Sequence, residues 1–220
     1  MANGNNTAAS QPGITPVSSL NSVRAVKIAR FLPGHERDAL YAAVCANQTA
    51  FEPSGVPGSA SAGSFYLSLE SSEFDRPEVA AIRLASGVLS KRILEILPSL
   101  FAALGIEPFA VKEMPLTLVN GLDGHCGLPH ADSIDGRYRI SLLYYFHREP
   151  RAFQGGDLEI YAADPAPASG TGDAAIARID QQDNLLIAFS SDTFHGITPV
   201  RCESDDFIDG RFAVISFLGN

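Results

Sequence analysis

The sequence predicts a mainly β fold in which helices come first and an antiparallel sandwich or jelly roll follows. Apolar residues recur with helical spacing before Gly105, and from Phe109 onward they alternate with a period of two. The short strands are separated by Gly, Pro, Asp and Asn, which favours this layout over alternating βαβ units. Hydrophobic residues make up 45% and charged residues 19% of the 220-residue chain, so one domain with a well-filled core is expected.

The first part of the chain contains an arm, a strand and two helices. Residues 1–24 are mostly small and polar, so we expect a disordered N-terminal arm followed by a single domain over residues 25–220. Ala25–Leu32 is predicted as the first strand. The i, i+3, i+4 spacing of apolar residues after Gly34 predicts a short helix that ends near Asn47. A second helix is predicted over Val88–Leu104, with Gly105 ending it.

The second half of the chain consists of short predicted strands. They are Leu116–Val119, Arg139–Phe146, Leu158–Tyr161, Ala175–Ile179, Leu185–Phe189, Ile197–Val200 and Phe212–Leu218. Before them, Pro53–Ser64 is rich in Gly, Ser and Pro and too long for a simple connection, so we expect a lid that closes over the mouth of the site.

Charge and cysteine content exclude several classes of protein. The formal net charge of −9 leaves no basic field for nucleic acid or an anionic membrane surface. No apolar run approaches the roughly 18 residues of a membrane span, and the N-terminus lacks the order of a signal peptide. Cys45, Cys126 and Cys202 are odd in number and contain no CxxC pair, which argues against a disulfide framework. These features predict a cytoplasmic protein.

His130, Asp132 and His195 are the candidate metal ligands. His130 and Asp132 lie two residues apart, so on one strand their side chains point to the same side. His195 comes between two predicted strands and completes a set of two imidazoles and one carboxylate. Such a set leaves three octahedral positions open, as in non-haem Fe(II) oxygenases. Zinc prefers four-coordinate closure, so a zinc hydrolase is the competing hypothesis.

Arg211 is the candidate anion-binding residue. It opens the last predicted strand, and alternation places it on the same face as Ala213 and Ile215. If that face lies inside the sandwich, the guanidinium needs an anionic partner, because an unpaired buried charge is very costly. A ligand carboxylate satisfies it in a bidentate manner. The alternative is an arginine at the strand edge that pairs with Asp206 or Asp209.

These residues occur in a characteristic order. The HxD pair is followed by Phe153–Tyr161 (FQGGDLEIY), Asn184-x4-Phe189, His195–Val200 (HGITPV) and Gly210-Arg211-Phe212. In this order the chain resembles the Fe(II)/2-oxoglutarate-dependent dioxygenases of the prolyl 4-hydroxylase-like group, from about Pro115 to the C-terminus. The resemblance implies a double-stranded β-helix core of the jelly-roll, cupin-like kind.

The resemblance also implies roles for individual residues. His130, Asp132 and His195 would bind Fe(II), and Arg211 would bind the distal carboxylate of 2-oxoglutarate, joined by the hydroxyl of Tyr145. O2 would be the second co-substrate and ascorbate a further reductant. A carboxylate at Asp132 implies hydroxylation, because halogenating relatives replace it with a small residue. The implied reaction couples oxidative decarboxylation of 2-oxoglutarate, to succinate and CO2, to hydroxylation of an unactivated C–H bond.

The chain departs from this group just before the first metal ligand. Asn120 stands where many relatives have a tyrosine about ten residues before that ligand, and we expect the Asn120 amide to bind 2-oxoglutarate instead. Asp123-Gly124 is followed by His125-Cys126-Gly127 rather than by an acidic and two aromatic residues. His125 is therefore a candidate polar contact in the substrate pocket or an alternative metal ligand.

We predict a small-molecule or carrier-protein-tethered substrate, amino-acid-derived among the candidates, and a monomer or homodimer. The alternative within the same family is hydroxylation of peptidyl proline. Alternatives from other classes are a zinc-dependent hydrolase and a non-catalytic β-sandwich binding module.

Overall fold

A computed structural model of the chain describes residues 13–17, 23–54, 63–69, 76–133, 135–163, 165 and 175–220. In these ranges the helices are α1 (Gly34–Ala46) and α2 (Pro77–Leu104), with 3-10 turns at Gln48–Ala50 and Phe207–Asp209. The strands are β1 (Thr15–Pro16), β2 (Ala25–Ala29), β3 (Glu52–Pro53), β4 (Ser64–Ser68), β5 (Leu116–Gly121), β6 (Gly127–His130), β7 (Tyr138–Phe146), β8 (Phe153–Gln154), β9 (Leu158–Ile160), β10 (Ala177–Ile179), β11 (Leu185–Ser190), β12 (His195–Ile197), β13 (Arg201–Cys202) and β14 (Arg211–Gly219).

The strands form two main sheets. The larger has the order β1-β2-β11-β7-β14-β5-β4-β3, and the smaller has the order β10-β9-β12-β6. Every described pairing in both sheets is antiparallel. The strands β8 and β13 form a separate antiparallel pair. The predicted mainly β fold with flanking helices is confirmed.

The register of β7 and β14 separates two hydrophobic cores. Phe212 lies opposite Phe146, and Ala213 lies opposite Tyr145. Because successive side chains of a strand point to opposite faces, the two pairs face different sides of the large sheet. Phe146 and Phe212 pack in the core that also contains buried residues of α1 and α2. Tyr145 and Ala213 pack in the core shared with the small sheet.

Helix α2 begins earlier than the sequence predicts, at Pro77 rather than at Val88. Val79 and Ile82 are buried and continue the apolar stripe that Leu89 belongs to. The added turns are therefore held by packing against the same core, although their polar and small residues weaken the sequence pattern. The predicted end of the helix at Gly105 is confirmed, since Gly105 is the left-handed C-cap.

The N-terminal boundaries differ from the prediction in two places. Within the predicted arm, Thr15 and Pro16 pair with β2, so this short strand belongs to the large sheet. Residues 1–12 and 18–22 of the arm lie outside the described part of the chain. The first strand ends at Ala29 instead of Leu32. Here the side-chain amide of Asn184 donates to the Leu32 carbonyl and its oxygen accepts from the Leu32 amide, so side-chain bonds replace the strand ladder.

The predicted strand Ile197–Val200 is wrong in its position. The strand is His195–Ile197, and the chain then leaves the small sheet. Pro199 has no N–H to donate to a ladder, and the amide of Val200 donates to the carbonyl of His125 instead. As a consequence, His195 lies within a strand and not between two strands. The short strands β3, β4, β6, β8 and β13 were not predicted.

No helix in the described ranges has the length and apolarity needed to cross a bilayer. The cysteines Cys45, Cys126 and Cys202 are all free thiols.

Candidate active site

A cavity of about 400 Å³ lies between the two sheets. Its walls are largely apolar and include Val119, Leu143 and Ile215 from the large sheet. Side chains of β4, such as Phe65 and Tyr66, also line it. Residues 55–62 of the predicted lid lie outside the described part of the chain, so closure by Pro53–Ser64 stays a prediction.

The cavity contains His130, Asp132 and His195 as one cluster. His130 Nε2 lies 3.4 Å from Asp132 Oδ1, and His195 Nε2 lies 3.6 Å from Asp132 Oδ2. One potential ligand atom from each residue falls within 4.8 Å of the other two. The strands explain this convergence, because His195 in β12 pairs directly with His130 at the end of β6. The three side chains predicted as metal ligands are thus brought together.

Backbone carbonyls orient both imidazoles for metal binding. His130 Nδ1 lies 2.8 Å from the carbonyl oxygen of Leu128, and His195 Nδ1 lies 3.0 Å from that of Thr193. A carbonyl only accepts, so each Nδ1 carries a proton, and Nε2 is the ring nitrogen that each imidazole presents to Asp132. Metal-binding histidines are commonly held in this way.

The cluster favours an ionised carboxylate. Burial by itself raises the pKa of Asp132, but hydrogen bonding from His130 and the nearby His195 outweigh it and lower that pKa below its ordinary value. Hydrogen bonding to Asp132 raises the pKa of His130, whereas burial lowers the pKa of His195. The ionised Asp132 and the neutral His195 are in the protonation states that a divalent cation requires, whereas a protonated His130 would release its Nε2 proton when a metal binds.

Ser141 and Ser191 hold Asp132 in position through hydrogen bonds. The Ser141 hydroxyl donates to Asp132 Oδ2 at 2.5 Å and shares a 2.9 Å hydrogen bond with the Ser191 hydroxyl. The backbone amide of Asp132 donates to the carbonyl of Ser191. Sequence reasoning missed both serines. A signal existed, because Ser141 interrupts the apolar run that begins at Ile140 in β7.

Ser141→Ala is therefore expected to weaken metal binding about ten- to a hundredfold, since it removes the hydrogen bond that fixes the Asp132 oxygen. Titration of the apoprotein with Mn(II) by calorimetry measures this. Ser216→Ala is the matched control, because Ser216 is equally buried on β14 but lies on the helix-facing side and has no hydrogen-bond partner among the described residues. Equal Mn(II) affinities for the two variants would contradict the assigned role.

Arg211 lies inside the sandwich, as the alternation of β14 predicts. It is 2% exposed, it lines the cavity, and its Nε donates to the Gly156 carbonyl at 2.9 Å. A Cβ on Gly156 would come within 2.4 Å of the Arg211 Cδ, so the glycine makes room for the side chain. The alternative pairing with Asp209 is wrong, because Asp209 pairs with Arg148. Within the described ranges no carboxylate pairs with Arg211.

Tyr145 packs against this guanidinium. The Arg211 Cζ lies 4.7 Å from the centre of the Tyr145 ring. Tyr145 is fully buried and its hydroxyl makes no well-aligned hydrogen bond among the described residues; burial raises its pKa, while the adjacent Arg211 guanidinium acts to lower it. Because the Tyr145 ring packs against the Arg211 guanidinium, its hydroxyl is a candidate contact for an anion bound there.

The expectation that Asn120 binds 2-oxoglutarate is corrected by the register of β5. Gly121 lies opposite Arg211, whereas Asn120 lies opposite Phe212 and so faces the helices. The Asn120 amide donates to the carbonyl of Phe207 at 2.8 Å. The cavity-facing residue next to Asn120 is Val119, whose side chain cannot bind a carboxylate. Asn120 therefore supports the turn that precedes β14.

His125 lines the same cavity as Arg211 and is 8% exposed. Its Nδ1 is buried and has no hydrogen-bond partner among the described residues. In those residues, the single group of three or more possible metal ligands is the His-Asp-His cluster, and His125 is not part of it. Burial, with a smaller contribution from Arg211, lowers the pKa of His125 to about 4. Near neutral pH this imidazole is uncharged.

The low pKa of His125 predicts a pH-dependent stability. The unfolded chain takes up a proton near pH 6.5 and the folded protein only near pH 4, so stability is lost as the pH falls through this window. The free energy of unfolding should fall by about 2 kcal/mol more between pH 7 and pH 5 in the wild type than in His125→Phe. Urea unfolding at the two pH values measures this, and identical losses would contradict the buried neutral imidazole.

Comparison with known proteins agrees with this site. Residues 117–219 match the family model described as the 2OG-Fe(II) oxygenase superfamily. This part of the chain, a little under half of its length, is therefore similar to that superfamily. All three residues of the metal cluster and Arg211 lie within the matched range.

Individual relatives are hydroxylases. An uncharacterized PKHD-type hydroxylase of Synechocystis sp. is 33% identical over 136 residues, which are 60% of this chain and 45% of that protein. The chain thus spans less than half the length of this curated relative. A similar solved structure is a prolyl hydroxylase from Trichoplax adhaerens in complex with a peptide fragment of the hypoxia inducible factor oxygen degradation domain. Its TM-score is 0.62 at 17% identity, and the match covers 89% of this chain and 83% of that one.

A Pseudomonas putida prolyl-4-hydroxylase has a TM-score of 0.57 at 17% identity and covers 93% of this chain and 96% of that one. At these identities the likeness concerns the fold, and it confirms the predicted jelly-roll class.

Proposed function

We propose that the protein is an Fe(II)- and 2-oxoglutarate-dependent dioxygenase that hydroxylates an unactivated C–H bond. The observation that carries this proposal is one cavity that contains both the His130, Asp132 and His195 cluster and the buried cation Arg211. A metal site alone fits many reactions. A metal site that shares its cavity with a buried arginine without a carboxylate partner fits an anionic co-substrate.

The residues present fit both groups. His130, Asp132 and His195 would hold Fe(II), and Arg211 with the unpartnered hydroxyl of Tyr145 would hold the distal carboxylate of 2-oxoglutarate. When bound, iron supplies the activation of O2 that side chains cannot provide. The overall reaction consumes R–H, O2 and 2-oxoglutarate and yields R–OH, succinate and CO2, with one oxygen atom in the alcohol and one in succinate. The apolar walls keep bulk water from the reacting groups.

For the substrate we propose a small or carrier-tethered molecule with an apolar portion, amino-acid-derived compounds among them. Tyr66 lines the cavity and Leu128 lies in β6 beside His130, and both are large apolar side chains that are exposed. A peptidyl proline is the second candidate, supported by the prolyl hydroxylases among the structural neighbours. We further propose that the protein is a monomer or homodimer in the cytoplasm and that ascorbate serves as a reductant. The free cysteines are compatible with a reducing compartment.

The two alternatives from other classes are less well supported. A zinc hydrolase would use the same three ligands, but the family match and the unpartnered Tyr145 hydroxyl favour an oxygenase. A non-catalytic binding module would not need the carbonyl groups that hold both imidazoles in one tautomer.

The test is succinate formation from 2-oxoglutarate by protein loaded with Fe(II) under anaerobic conditions, measured after oxygen is admitted and without a prime substrate. We expect slow, oxygen-dependent turnover. No succinate together with no binding of 2-oxoglutarate would refute the proposal. Mass spectrometry then separates the substrates: carrier-bound aminoacyl groups are expected to gain one oxygen atom, whereas a gain restricted to a proline-containing peptide would favour the second candidate.

A further inference from the structure

The imidazole of His125 occupies a space that exists only because residue 121 is glycine. A Cβ on Gly121 would come within 2.2 Å of His125 Nδ1 and 2.8 Å of its Cγ. Gly121 lies directly opposite Arg211 in the β5–β14 register, so the imidazole lies beside the Arg211 position on the cavity face. The His125 backbone is also held, because its amide donates to the Leu122 carbonyl and its carbonyl accepts from Val200.

Three polar side chains thus lie near one another, and of them Arg211 has a hydrogen bond in the described residues, from its Nε to the Gly156 carbonyl. His125 Nδ1 and the Tyr145 hydroxyl are both buried and have no hydrogen-bond partner among the described residues, and the guanidinium of Arg211 lies over the Tyr145 ring. No hydrogen bond joins the uncharged imidazole to the Arg211 guanidinium among the described residues, so the N–H of His125 remains available to a ligand acceptor. A carboxylate bound by the Arg211 guanidinium would find the imidazole of His125 and the hydroxyl of Tyr145 as further donors.

We propose that His125 donates a hydrogen bond to the distal carboxylate of 2-oxoglutarate, together with Arg211 and Tyr145. This inference rests on the proposed function and adds a residue to its co-substrate site. It also accounts for the hydrogen bond to 2-oxoglutarate that Asn120 cannot supply, because Asn120 faces the helices. In this proposal the bond comes from His125, five residues later, in the loop that follows β5.

The test compares two 2-oxo acids in Mn(II)-loaded protein, in which no turnover occurs. The probes are 2-oxoglutarate and 2-oxopentanoate, which has a methyl group in place of the distal carboxylate. His125→Phe keeps a ring against Gly121 but removes the donor, and His125→Asn keeps a donor. A second apolar variant, His125→Leu, is measured in parallel so that the result does not depend on one substitution. Mn(II) affinity and melting temperature are recorded for each variant.

We expect His125→Phe and His125→Leu to raise the Kd of 2-oxoglutarate about ten- to a hundredfold, because each removes a hydrogen bond to a charged group. The Kd of 2-oxopentanoate, measured by competition, should change less than about twofold. His125→Asn should recover part of the lost affinity. Equal weakening of both acids, or no weakening of 2-oxoglutarate, would overturn the inference while leaving the proposed function intact. Failure of the wild type to bind 2-oxoglutarate would overturn both.

Discussion

Asp132→Ala is expected to abolish oxygen-dependent succinate formation and to lower metal affinity at least about a hundredfold. The substitution removes the single carboxylate of the cluster, and two neutral imidazoles bind a divalent cation far more weakly than two imidazoles and a carboxylate. It also removes the carboxylate acceptor of the Ser141 hydroxyl and leaves it the Ser191 hydroxyl. Calorimetric titration with Mn(II) and succinate formation with Fe(II) measure the two effects.

Asp205→Ala is the control for this variant, because Asp205 is an exposed aspartate on the loop before β14. It removes the same charge from the chain and is expected to leave metal affinity and turnover at the wild-type level. Retention of more than about a tenth of the wild-type Mn(II) affinity by Asp132→Ala would contradict the assignment of this carboxylate as a ligand.

Arg211→Met is expected to raise the 2-oxoglutarate concentration needed for half-maximal turnover at least about a hundredfold. Truncation of one partner of a buried charge pair typically costs 2 to 5 kcal/mol of binding free energy, or roughly 30- to 5,000-fold in affinity. The metal cluster does not include Arg211, so Mn(II) affinity should be preserved. Arg211→Lys should recover only part of the loss, since an ammonium group lacks the planar fork that binds a carboxylate through two hydrogen bonds.

Arg201→Met serves as the matched control, because Arg201 in β13 is exposed. We expect an unchanged KM for 2-oxoglutarate in this variant. A wild-type KM in Arg211→Met, or an equal increase in the two variants, would show that Arg211 does not anchor the co-substrate.

The approach of His130 to Asp132 and the inward direction of Arg211 were predictable because each depends on positions close together in the sequence. His130 and Asp132 lie two residues apart at a strand end. Arg211 shares one face of β14 with Ala213 and Ile215, because side chains two residues apart in a strand point to the same side. The position of His195 within β12 was not predicted, because the strand has three residues and the apolar signal continues past it to Val200.

The prediction that Asn120 binds 2-oxoglutarate was wrong, because the distance of a residue along the chain from His130 does not determine which face of a strand that residue occupies. Only the pairing of Gly121 with Arg211 determines that Asn120 faces the helices. Ser141 and the environment of His125 depend on contacts between residues that are far apart in the sequence, such as Ser141 with Ser191. Such contacts leave no periodic pattern in the sequence.

The central claim is that one cavity brings together Fe(II), 2-oxoglutarate and O2. The most direct test supplies ¹⁸O2 to the Fe(II)-loaded protein with 2-oxoglutarate and examines the succinate by mass spectrometry. We expect one ¹⁸O atom in each succinate molecule and one CO2 released for each 2-oxoglutarate consumed. Succinate without label, or label incorporation that persists in Asp132→Ala, would contradict the claim.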